Sequence, residues 1–554
     1  MQGLLLAYDF NRFESVDAFQ ACLQSDPDAT MCHWGVAYSV GPYLNVVDGS
    51  AEEEQQQFPP VFGPVQFQVA QRAAQRAQEL AQEAVLQDPN SSTAKQELGF
   101  ANAALLRYAE GSERGHARHA AERAYGEAMQ HLGEATQDPT ALAMAAEAYL
   151  NLCPWDFMDP STGDKRPDAK AADALLLRAL RLNPRHELAL HLHVHLAEAG
   201  AELWSHPEDN PVPSEGEQSA DRLSGLQPRM GHLQHMPSHV YIRVGRYHDA
   251  ARVNFDAYAA DKQAADACSV SYLPEHNLQM LLFAASMAGE YAVVEEWAKK
   301  TWSLPETMPR SAWPGREYTM LLLTQVRFGM WDKVLAAKPP AEYERGAGEP
   351  GGHAFATGAW HYARCLALAS RAQRAQQAQH AAEAQRRQHE AQAELDLVKE
   401  AMASLPPDLM TRPGQGVGIY SPGYNDLGRM AVLVAEARLH ALERRWQEAA
   451  SALATAADIE AQMGYVEPPR LLNQPLLQCL GWVRLHLGQY DQAAEAYRKD
   501  LAHHPGNAWS LMGLSQALMH SGHSKEAADA QRGFQRAWKH ADQQITTSCP
   551  AFAA

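Results

Sequence analysis

The sequence predicts an all-α fold in which helix-turn-helix repeats stack one after another into a solenoid. Two observations carry this prediction. Alanine, leucine, glutamine and glutamate dominate the chain, and the alternation of β-branched residues that is typical of strands is nearly absent. Proline stops and small-residue hinges also recur along the chain at a regular spacing, which indicates a repeat architecture.

The clearest repeat unit lies near the C-terminus and contains Leu477, Gly481, Ala493, Tyr497 and Pro505. Its small residues allow two helices to pack closely, its tyrosine fills the remaining gap, and its proline ends the second helix. A period of about 34 residues is typical of tetratricopeptide repeats. We therefore predict a tetratricopeptide-repeat-like α-solenoid, a right-handed superhelix of helix-turn-helix repeats with loop insertions.

We predict three segments that together form one continuous solenoid. Residues 1–336 form an N-terminal array that contains a histidine-rich groove, and residues 431–554 form C-terminal repeats. Residues 337–430 combine irregular loops with a helix pair that includes an extended Ala/Gln-rich helix at 371–398. Runs rich in proline and glycine or in polar residues predict loops at 204–220, 337–352 and 403–427.

The charge of the chain argues against two classes of partner. Lys and Arg number 47 against 66 Asp and Glu, a net charge of −19, with no basic cluster. Nucleic acids and anionic membranes attract basic surfaces, so we expect neither as a partner. No apolar run approaches the roughly 20 residues of a membrane span. The Gly-rich motifs that cradle phosphates are also absent from the sequence, so we expect no nucleotide cofactor.

The cysteines and the start of the chain bear on its compartment. The seven cysteines are scattered and never form a Cys-x-x-Cys pair, which favours reduced, mostly buried thiols and a reducing intracellular compartment. No signal peptide is visible at Met1. The chain begins within a helical pattern, so we expect an upstream segment to be missing from this sequence.

Two proline-to-histidine spacings repeat in the chain. His191 and His195 stand seven and eleven residues after Pro184, and His235 and His239 stand at the same distances after Pro228. Residues four apart share one face of a helix, so two matched pairs indicate neighbouring helices that present imidazoles to one space. The corresponding positions after the other stop prolines are not histidines but Trp34 and Tyr38, Gln96 and Phe100, Ala146 and Leu150, and Met512 and Gln516. The histidine pairs are therefore not a requirement of the repeat.

Residues Gly231 to Tyr247 read Gly-His-Leu-Gln-His-Met-Pro-Ser-His-Val-Tyr-Ile-Arg-Val-Gly-Arg-Tyr. This stretch resembles a family of microbial tetratricopeptide-repeat proteins that carry Gly-His-Leu-x-His-Met-Pro-Ser-His-(Ile/Val)-Tyr. Further matches cover almost the whole chain: Trp34-Gly35, Gly41-Pro42, Asn45, Pro154 to Asp156, Trp360 to Arg364, Glu467 to Pro469, Asp500 to Trp509, and Ala537-Trp538. The resemblance implies a fold and a candidate site, and no particular reaction.

The resemblance also implies where the histidines lie. In this repeat class the first helix of each repeat lines the concave groove, and the register of the histidine pairs faces it. The family pattern His-x-x-x-His-x-x-Glu is matched by His191, His195 and Glu198. A second pattern, Tyr-Pro-His-Asn-x-His, keeps its first histidine at His276 but has Gln279 in place of the second.

We predict a metal site made of His191, His195, Glu198, His235, His239 and His276, with His361 as an additional candidate. Neutral imidazole is a common metal ligand, and a nitrogen-rich set with one carboxylate suits Zn, Cu, Fe or Mn. His193 and His232 lie off the main helix face, so structural roles are expected for them. A purely structural role for the whole set, with histidines that bond a peptide or each other, stays open as the alternative.

Three functions follow from this site, of which the third is a metal carrier or sensor that uses the same residues without turnover. The first is a metal-dependent enzyme, oxidative or hydrolytic, that acts on a small molecule or peptide in the groove. The second is a non-enzymatic scaffold that binds a peptide or protein partner there, since fold alone does not define chemistry. The residues predicted to line the groove are Trp34, Tyr38, Trp155, Tyr241, Arg243, Gln279 and Trp360. The sequence defines neither the reaction nor the oligomeric state.

Overall fold

A computed structural model describes residues 2–45, 64–159, 162–199, 212–301, 316–340, 352–405, 424–462 and 474–553. These residues form helices and connecting turns, with an isolated bridge between Met158 and Lys165. Helices that follow one another in the chain pack against one another. The predicted fold class, an all-α tetratricopeptide-repeat-like solenoid, is confirmed. None of the helices in these ranges is both long and apolar enough to span a bilayer.

The helices of the first half of the chain are α1 (Gln2–Tyr8), α2 (Arg12–Ser25), α3 (Thr30–Val40), α4 (Pro64–Gln87), α5 (Ser92–Arg107), α6 (Gly115–Thr136), α7 (Pro139–Asn151), α8 (Pro167–Leu182), α9 (Glu187–Ala199), α10 (Val212–Leu223), α11 (Gly231–His235), α12 (Pro237–Arg243) and α13 (Tyr247–Asp266). Those of the second half are α14 (Pro274–Ala288), α15 (Tyr291–Thr301), α16 (Arg316–Arg327), α17 (Trp331–Ala336), α18 (Gly352–Gln377), α19 (Ala381–Ala403), α20 (Tyr424–Leu442), α21 (Trp446–Gln462), α22 (Leu476–His486), α23 (Tyr490–His503), α24 (Ala508–His520) and α25 (Ser524–Ala537).

The chain divides into two compact units. Unit 1 consists of Met1–Val240 with Val253–Asn277, and unit 2 consists mainly of Tyr241–Arg252, Leu278–Gln415 and Ile419–Ala554. The three segments predicted from the sequence do not correspond to these two units, and that division stays a prediction.

Helix α9 determines where the first histidines of unit 1 lie. Leu188, Leu190, Leu192, Val194 and Leu196 alternate with the histidines along it, and all of them are buried. A helix that is apolar on all sides is enclosed by its neighbours. The histidines of α9 are therefore interior side chains.

Two of the segment predictions need correction. The loop predicted at 204–220 is helical from Val212 onward, because a proline is tolerated in a first helical turn and α10 buries Ala220 and Leu223 in unit 1. Residues 204–211 lie outside the described residues. So do most of the predicted loops at 337–352 and 403–427, and the motif match from Glu467 to Pro469.

The Ala/Gln-rich stretch 371–398 is not one extended helix. Helix α18 ends at Gln377, helix α19 begins at Ala381, and Gln379 between them has a left-handed φ of 60°. The two helices pack against each other and bury alanines on both sides of the turn, such as Ala372 and Ala391. Helix propensity in this stretch is high throughout, so the break results from tertiary packing.

The prediction of reduced cysteines is wrong for four of the seven. Cys22 is bonded to Cys32 in unit 1, and Cys479 to Cys549 in unit 2, while Cys153, Cys268 and Cys365 are free. Both bridges join helices or segments that only the folded chain brings together, so scattered spacing was a poor guide. Disulfides persist in oxidising compartments, so the bridges remove the argument for a reducing one.

We expect the two disulfides to stabilise the protein unequally. Cys479 and Cys549 are 70 residues apart in the sequence, and Cys22 and Cys32 are 10 apart. On the chain-entropy account the longer loop contributes about 4 kcal/mol and the shorter about 3 kcal/mol. Denaturant unfolding of C479A/C549A should show the larger loss of stability, with C22A/C32A as the matched control. A larger loss in the control would contradict the expectation.

Candidate metal centre

Helix α9 supplies three side chains to the interior of unit 1. His191, His195 and Glu198 follow one another at intervals of four and three residues, so they lie along one face of the helix. All three are buried. The spacing argument from the sequence is confirmed as far as this shared face is concerned.

The segment from Gly231 to Arg243 supplies three more histidines. His232 and His235 belong to α11, a helix of 5 residues, and Pro237 opens α12, which carries His239. Proline fits the first helical turn, so the chain restarts a helix there rather than continuing α11 unchanged. His232, His235 and His239 are all buried.

The six histidines nearest one another form two groups of three. Group A contains His191, His195 and His232, and group B contains His235, His239 and His276. Within each group, one ring nitrogen of every histidine lies within 4.8 Å of the corresponding atoms of the other two. His276, on α14, is half-buried and the other five are buried. Each group could therefore hold one metal ion after a small adjustment of its side chains.

The hydrogen bonds of group A define which ring nitrogens carry protons. His191 Nδ1 lies 2.6 Å from the backbone oxygen of Tyr8, which can only accept, so Nδ1 is the protonated nitrogen. His195 Nδ1 lies 2.8 Å from Glu198 Oε1 and donates to this carboxylate. The Nε2 atoms of His191, His195 and His232 are buried and have no hydrogen-bond partner. For His191 and His195 the unpartnered Nε2 atom therefore carries a lone pair.

Group B brings two ring nitrogens into direct contact. His235 Nδ1 donates to Asn254 Oδ1 at 2.6 Å, and His239 Nδ1 contacts Glu198 Oε2. With both Nδ1 atoms protonated, both Nε2 atoms carry lone pairs, and these two Nε2 atoms lie 2.7 Å apart. Two facing lone pairs repel unless a proton or another cation lies at the pair. The ring of His276 lies 4.8 Å from that of His235, measured between centres.

Glu198 links the two groups. One carboxylate oxygen contacts His195 of group A and the other contacts His239 of group B. Burial alone would raise the pKa of Glu198, but its contacts with His239 and His195 outweigh burial and lower the pKa below its usual value. Glu198 is therefore an ionised carboxylate that orients one histidine in each group.

Four of the six histidines are held in the neutral form. Burial lowers the pKa of His191, His232 and His235 well below the usual value, and repulsion by neighbouring imidazoles lowers it further. Burial also lowers the pKa of His195. Neutral imidazole is the form that binds a metal.

An aromatic shell encloses group A. The ring of Phe10 lies 4.5 Å from His191 and 5.7 Å from His195, and Trp155 meets His195 edge-on at 5.1 Å. Tyr272 lies 4.9 Å from His232. These rings exclude water from the imidazoles and leave a mostly apolar environment around them.

Asn45 forms hydrogen bonds with two residues of this shell. Its side-chain oxygen accepts a hydrogen bond from Trp155 Nε1 at 3.1 Å, and its nitrogen donates to the Tyr272 hydroxyl at 2.8 Å. Trp155 and Tyr272, which both contact histidines of group A, are therefore joined through one amide.

Three of the seven non-glycine residues with a positive φ among the described residues lie beside the histidines. Phe10, Trp155 and Leu273 have positive φ angles of 59°, 60° and 44°, although none of them is glycine. Phe10 and Trp155 contact group A, and Leu273 precedes the helix that carries His276. Such conformations cost about 1–3 kcal/mol each and are found preferentially at functional sites.

Asp261 approaches the backbone at position 231 so closely that only glycine fits there. A Cβ atom at Gly231 would lie only 1.9 Å from Asp261 Oδ1, and Asp261 is itself held by Asn277 through a 2.8 Å hydrogen bond. We expect Gly231→Ala to cost about 1–3 kcal/mol through overpacking and to displace helix α11, which begins at this residue. The matched control is Gly126→Ala, where the nearest neighbour of the new Cβ would be Ala148 Cβ at 3.1 Å. Thermal unfolding of both variants tests this, and equal melting temperatures would contradict it.

Three residues predicted to line a groove lie in unit 1. Trp34 and Tyr38 are buried with stacked rings, and the Tyr38 hydroxyl donates to Glu147 at 2.8 Å, so both are core side chains. Trp155 is partly exposed and contacts His195. Of the three, Trp155 alone adjoins the histidine groups through a ring contact.

The other predicted groove residues belong to unit 2. Tyr241, Arg243 and Gln279 are buried there. Trp360 donates from Nε1 to the backbone oxygen of Ala337 at 3.0 Å. The additional metal candidate, His361, bonds Glu394 at 2.7 Å and is in neither three-histidine group.

Sequence reasoning missed several residues of the centre. His232 was assigned a structural role, yet it completes group A, and its position three residues before His235 was the available signal. His193 does have the structural contact expected of it, a 3.0 Å bond between Nδ1 and Ser219 Oγ. Asn254 and Phe10 carry no recognisable sequence signal. Asn45 stood in a matched motif but was not connected to the site.

Comparison with known proteins supports a tetratricopeptide-repeat-type protein. The tetratricopeptide repeat family model matches residues 484–530, which lie in unit 2 and include all of α23 and α24. The match does not extend to the histidine motif. No curated protein matches the chain. The described structure and this match agree on a helical repeat scaffold, and the structure adds two histidine groups that could hold a metal ion.

Proposed function

We propose that unit 1 binds two metal ions, one in each three-histidine group, and that this two-metal centre is the functional site of the protein. The observation that carries the proposal is the set of buried Nε2 atoms in group A, which have no hydrogen-bond partner. An unpartnered buried polar atom costs about 1–3 kcal/mol, so such atoms call for a ligand.

The bonds on the far side of the rings support the same conclusion. Histidines that bind metals almost always donate the other ring N–H to a carboxylate, a carbonyl or water. His191 donates to a backbone carbonyl, His195 to Glu198, and His235 to Asn254. Three neutral histidines per ion also form the ligand set of a catalytic metal, which keeps a position for water or substrate.

The alternative is a scaffold that binds a peptide in an open groove. Such a scaffold needs solvent-exposed histidines, whereas five of the six are buried and converge on one another. Their burial favours metal binding over peptide recognition at this site. The reaction we propose is metal-dependent chemistry on a molecule small enough to enter an enclosed centre.

The proposal is tested by metal analysis of the purified protein and of the apoprotein after reconstitution. We expect two bound ions per chain. His191→Ala should leave one ion, in group B, and His235→Ala should leave one ion, in group A. The matched control is His193→Gln, since His193 lies on the same helix between two ligands but bonds Ser219 instead.

Two outcomes would overturn the proposal. One is the absence of stoichiometric metal before and after reconstitution. The other is an equal loss of metal in His193→Gln and His191→Ala when circular dichroism shows that both variants keep their helix content, since metal binding would then not depend on the proposed ligand in particular.

A further inference from the structure

Arg438, on helix α20 of unit 2, has a buried guanidinium with most of its hydrogen-bonding capacity unused. The residue is 0% exposed. Its Nη2 atom donates to Gln373 Oε1 on α18 at 2.6 Å, while Nε and Nη1 are buried without a hydrogen-bond partner. Within the described ranges Arg438 forms no ion pair, unlike Arg107, which is buried against Glu122. The free donors of this interior group call for a ligand.

These free donors include one complete edge of the guanidinium. A guanidinium has five N–H groups in a planar fork, one on Nε and two on each Nη. Gln373 accepts from one N–H of Nη2, so the second N–H of Nη2 stays parallel to a free N–H of either Nε or Nη1. Two parallel N–H groups match the two oxygens of a carboxylate, and this bidentate pairing is a strong form of recognition by arginine.

Ser370 adds a second unpartnered group on the helix that carries Gln373. It lies three residues before Gln373 on α18, so the two side chains share one side of the helix. Ser370 is 0% exposed, and its hydroxyl oxygen has no hydrogen-bond partner. A free hydroxyl donor therefore lies on the side of α18 to which Arg438 bonds.

The Cys365 thiol does not neutralise Arg438. Among the described residues, Cys365 is the ionisable group whose charge would act on the guanidinium, but burial raises the pKa of this thiol to about 12. Burial lowers the pKa of Arg438 to about 10, so near neutral pH the thiol is uncharged and the guanidinium is charged. A charged donor that is buried without a partner is costly, and an anion on the free edge removes that cost.

We propose that Arg438 and Gln373 form a binding site for a small carboxylate anion, with Ser370 as a further donor. The site is built from α18 and α20 of unit 2 and uses no residue of the histidine groups, so it does not depend on the proposed metal centre. Gln373 is half-buried whereas Arg438 is fully buried, which places the entrance beside Gln373. A carboxylate uses one edge of the fork completely, whereas a phosphate brings further oxygens that need donors of their own.

The test is thermal unfolding of the full chain in rising acetate, at constant pH and with chloride keeping the ionic strength constant. A ligand that binds only the folded state raises the melting temperature, so we expect a rise with acetate concentration in the wild type. Arg438→Met should abolish this rise. Arg429→Met is the matched control and should keep it, because Arg429 lies on the same helix but is exposed and paired with Asp426. Inorganic phosphate, tested in the same way, should have the weaker effect.

Arg438→Lys keeps the test decisive if Arg438→Met does not fold. Lysine retains the positive charge but not the planar fork. Loss of a hydrogen bond to a charged group weakens binding by about tenfold or more, so this variant should bind acetate that much more weakly than the wild type does. Isothermal titration calorimetry measures both affinities and should count one acetate per chain at this site. An unchanged affinity in Arg438→Lys would overturn bidentate recognition.

Three further results would overturn the inference. The first is an equal response to acetate in Arg438→Met and Arg429→Met, which would place the binding elsewhere. The second is a phosphate effect that exceeds that of acetate and depends on Arg438, which would replace the carboxylate with a phosphate ligand. The third is no response of the wild type to either anion. Arg438→Met should then be the more stable protein, since an apolar chain in place of an unliganded buried charge removes the cost of that charge.

Discussion

Replacement of Glu198 by alanine should weaken the binding of both metal ions at once. Glu198 accepts from His195 in one group and contacts His239 in the other, so its loss frees one ligand in each group to rotate or change tautomer. Loss of such an orienting partner lowers metal affinity by about 10–100-fold. Competition with a chromophoric chelator, resolved into two binding steps, measures the effect. A ligand variant such as His191→Ala should by contrast remove one step and leave the other.

The control for this variant lies on the same helix. Glu187, at the start of α9, accepts from Gln227 at 2.7 Å and is in neither histidine group. Glu187→Ala should bind both ions with wild-type affinity. If Glu198→Ala affected a single ion, or neither, the linking role of this carboxylate would be wrong.

Replacement of Glu122 by alanine should cause the largest loss of stability in unit 1. Glu122 accepts two bonds from Arg107 at 2.9 and 2.7 Å, one from Arg118 at 3.1 Å and one from Asn151 at 2.9 Å, and all four residues are buried. Without it, two buried guanidinium groups lose their counter-charge. Breaking a buried pair in this way costs about 3–5 kcal/mol. Denaturant unfolding checks the value.

The matched control is Glu79→Ala. Glu79 pairs with Arg76 at 3.1 Å on the surface of the same unit, where both side chains are largely exposed. An exposed pair contributes about 0–1 kcal/mol. Similar losses in Glu122→Ala and Glu79→Ala would show that the buried network does not act as described.

The Glu122 network also predicts how stability depends on pH. Burial would raise the pKa of Glu122, but Arg107 and Arg118 lower it overall, below the usual 4.5. The folded state therefore binds this proton less readily than the unfolded state, so the stabilisation is complete above the usual value and is lost as the pH falls toward the depressed pKa. The free energy of unfolding should be measured between about pH 6 and about pH 3, a range that brackets the usual carboxyl pKa. As the pH is lowered, it should fall less steeply in Glu122→Gln than in wild type.

Local sequence information was sufficient for the repeat architecture. Stop prolines, small-residue hinges and helix propensity act within one or two helical turns, so they are readable without a structure. The same local rules could not reveal the break between α18 and α19, because propensity is high on both sides of Gln379. They also could not pair Cys479 with Cys549, which are 70 residues apart in the chain.

By itself, the sequence determined which side chains share a helix face. His191, His195 and Glu198 do so because they are one turn apart on α9, and that relation holds in any fold that keeps the helix. Tertiary structure decided how the histidines divide: His232 joins the α9 pair, and His276 joins His235 and His239. The physical reason is that these partners come from different helices, and their distances depend on close contacts between helices, such as that of Gly231 with Asp261.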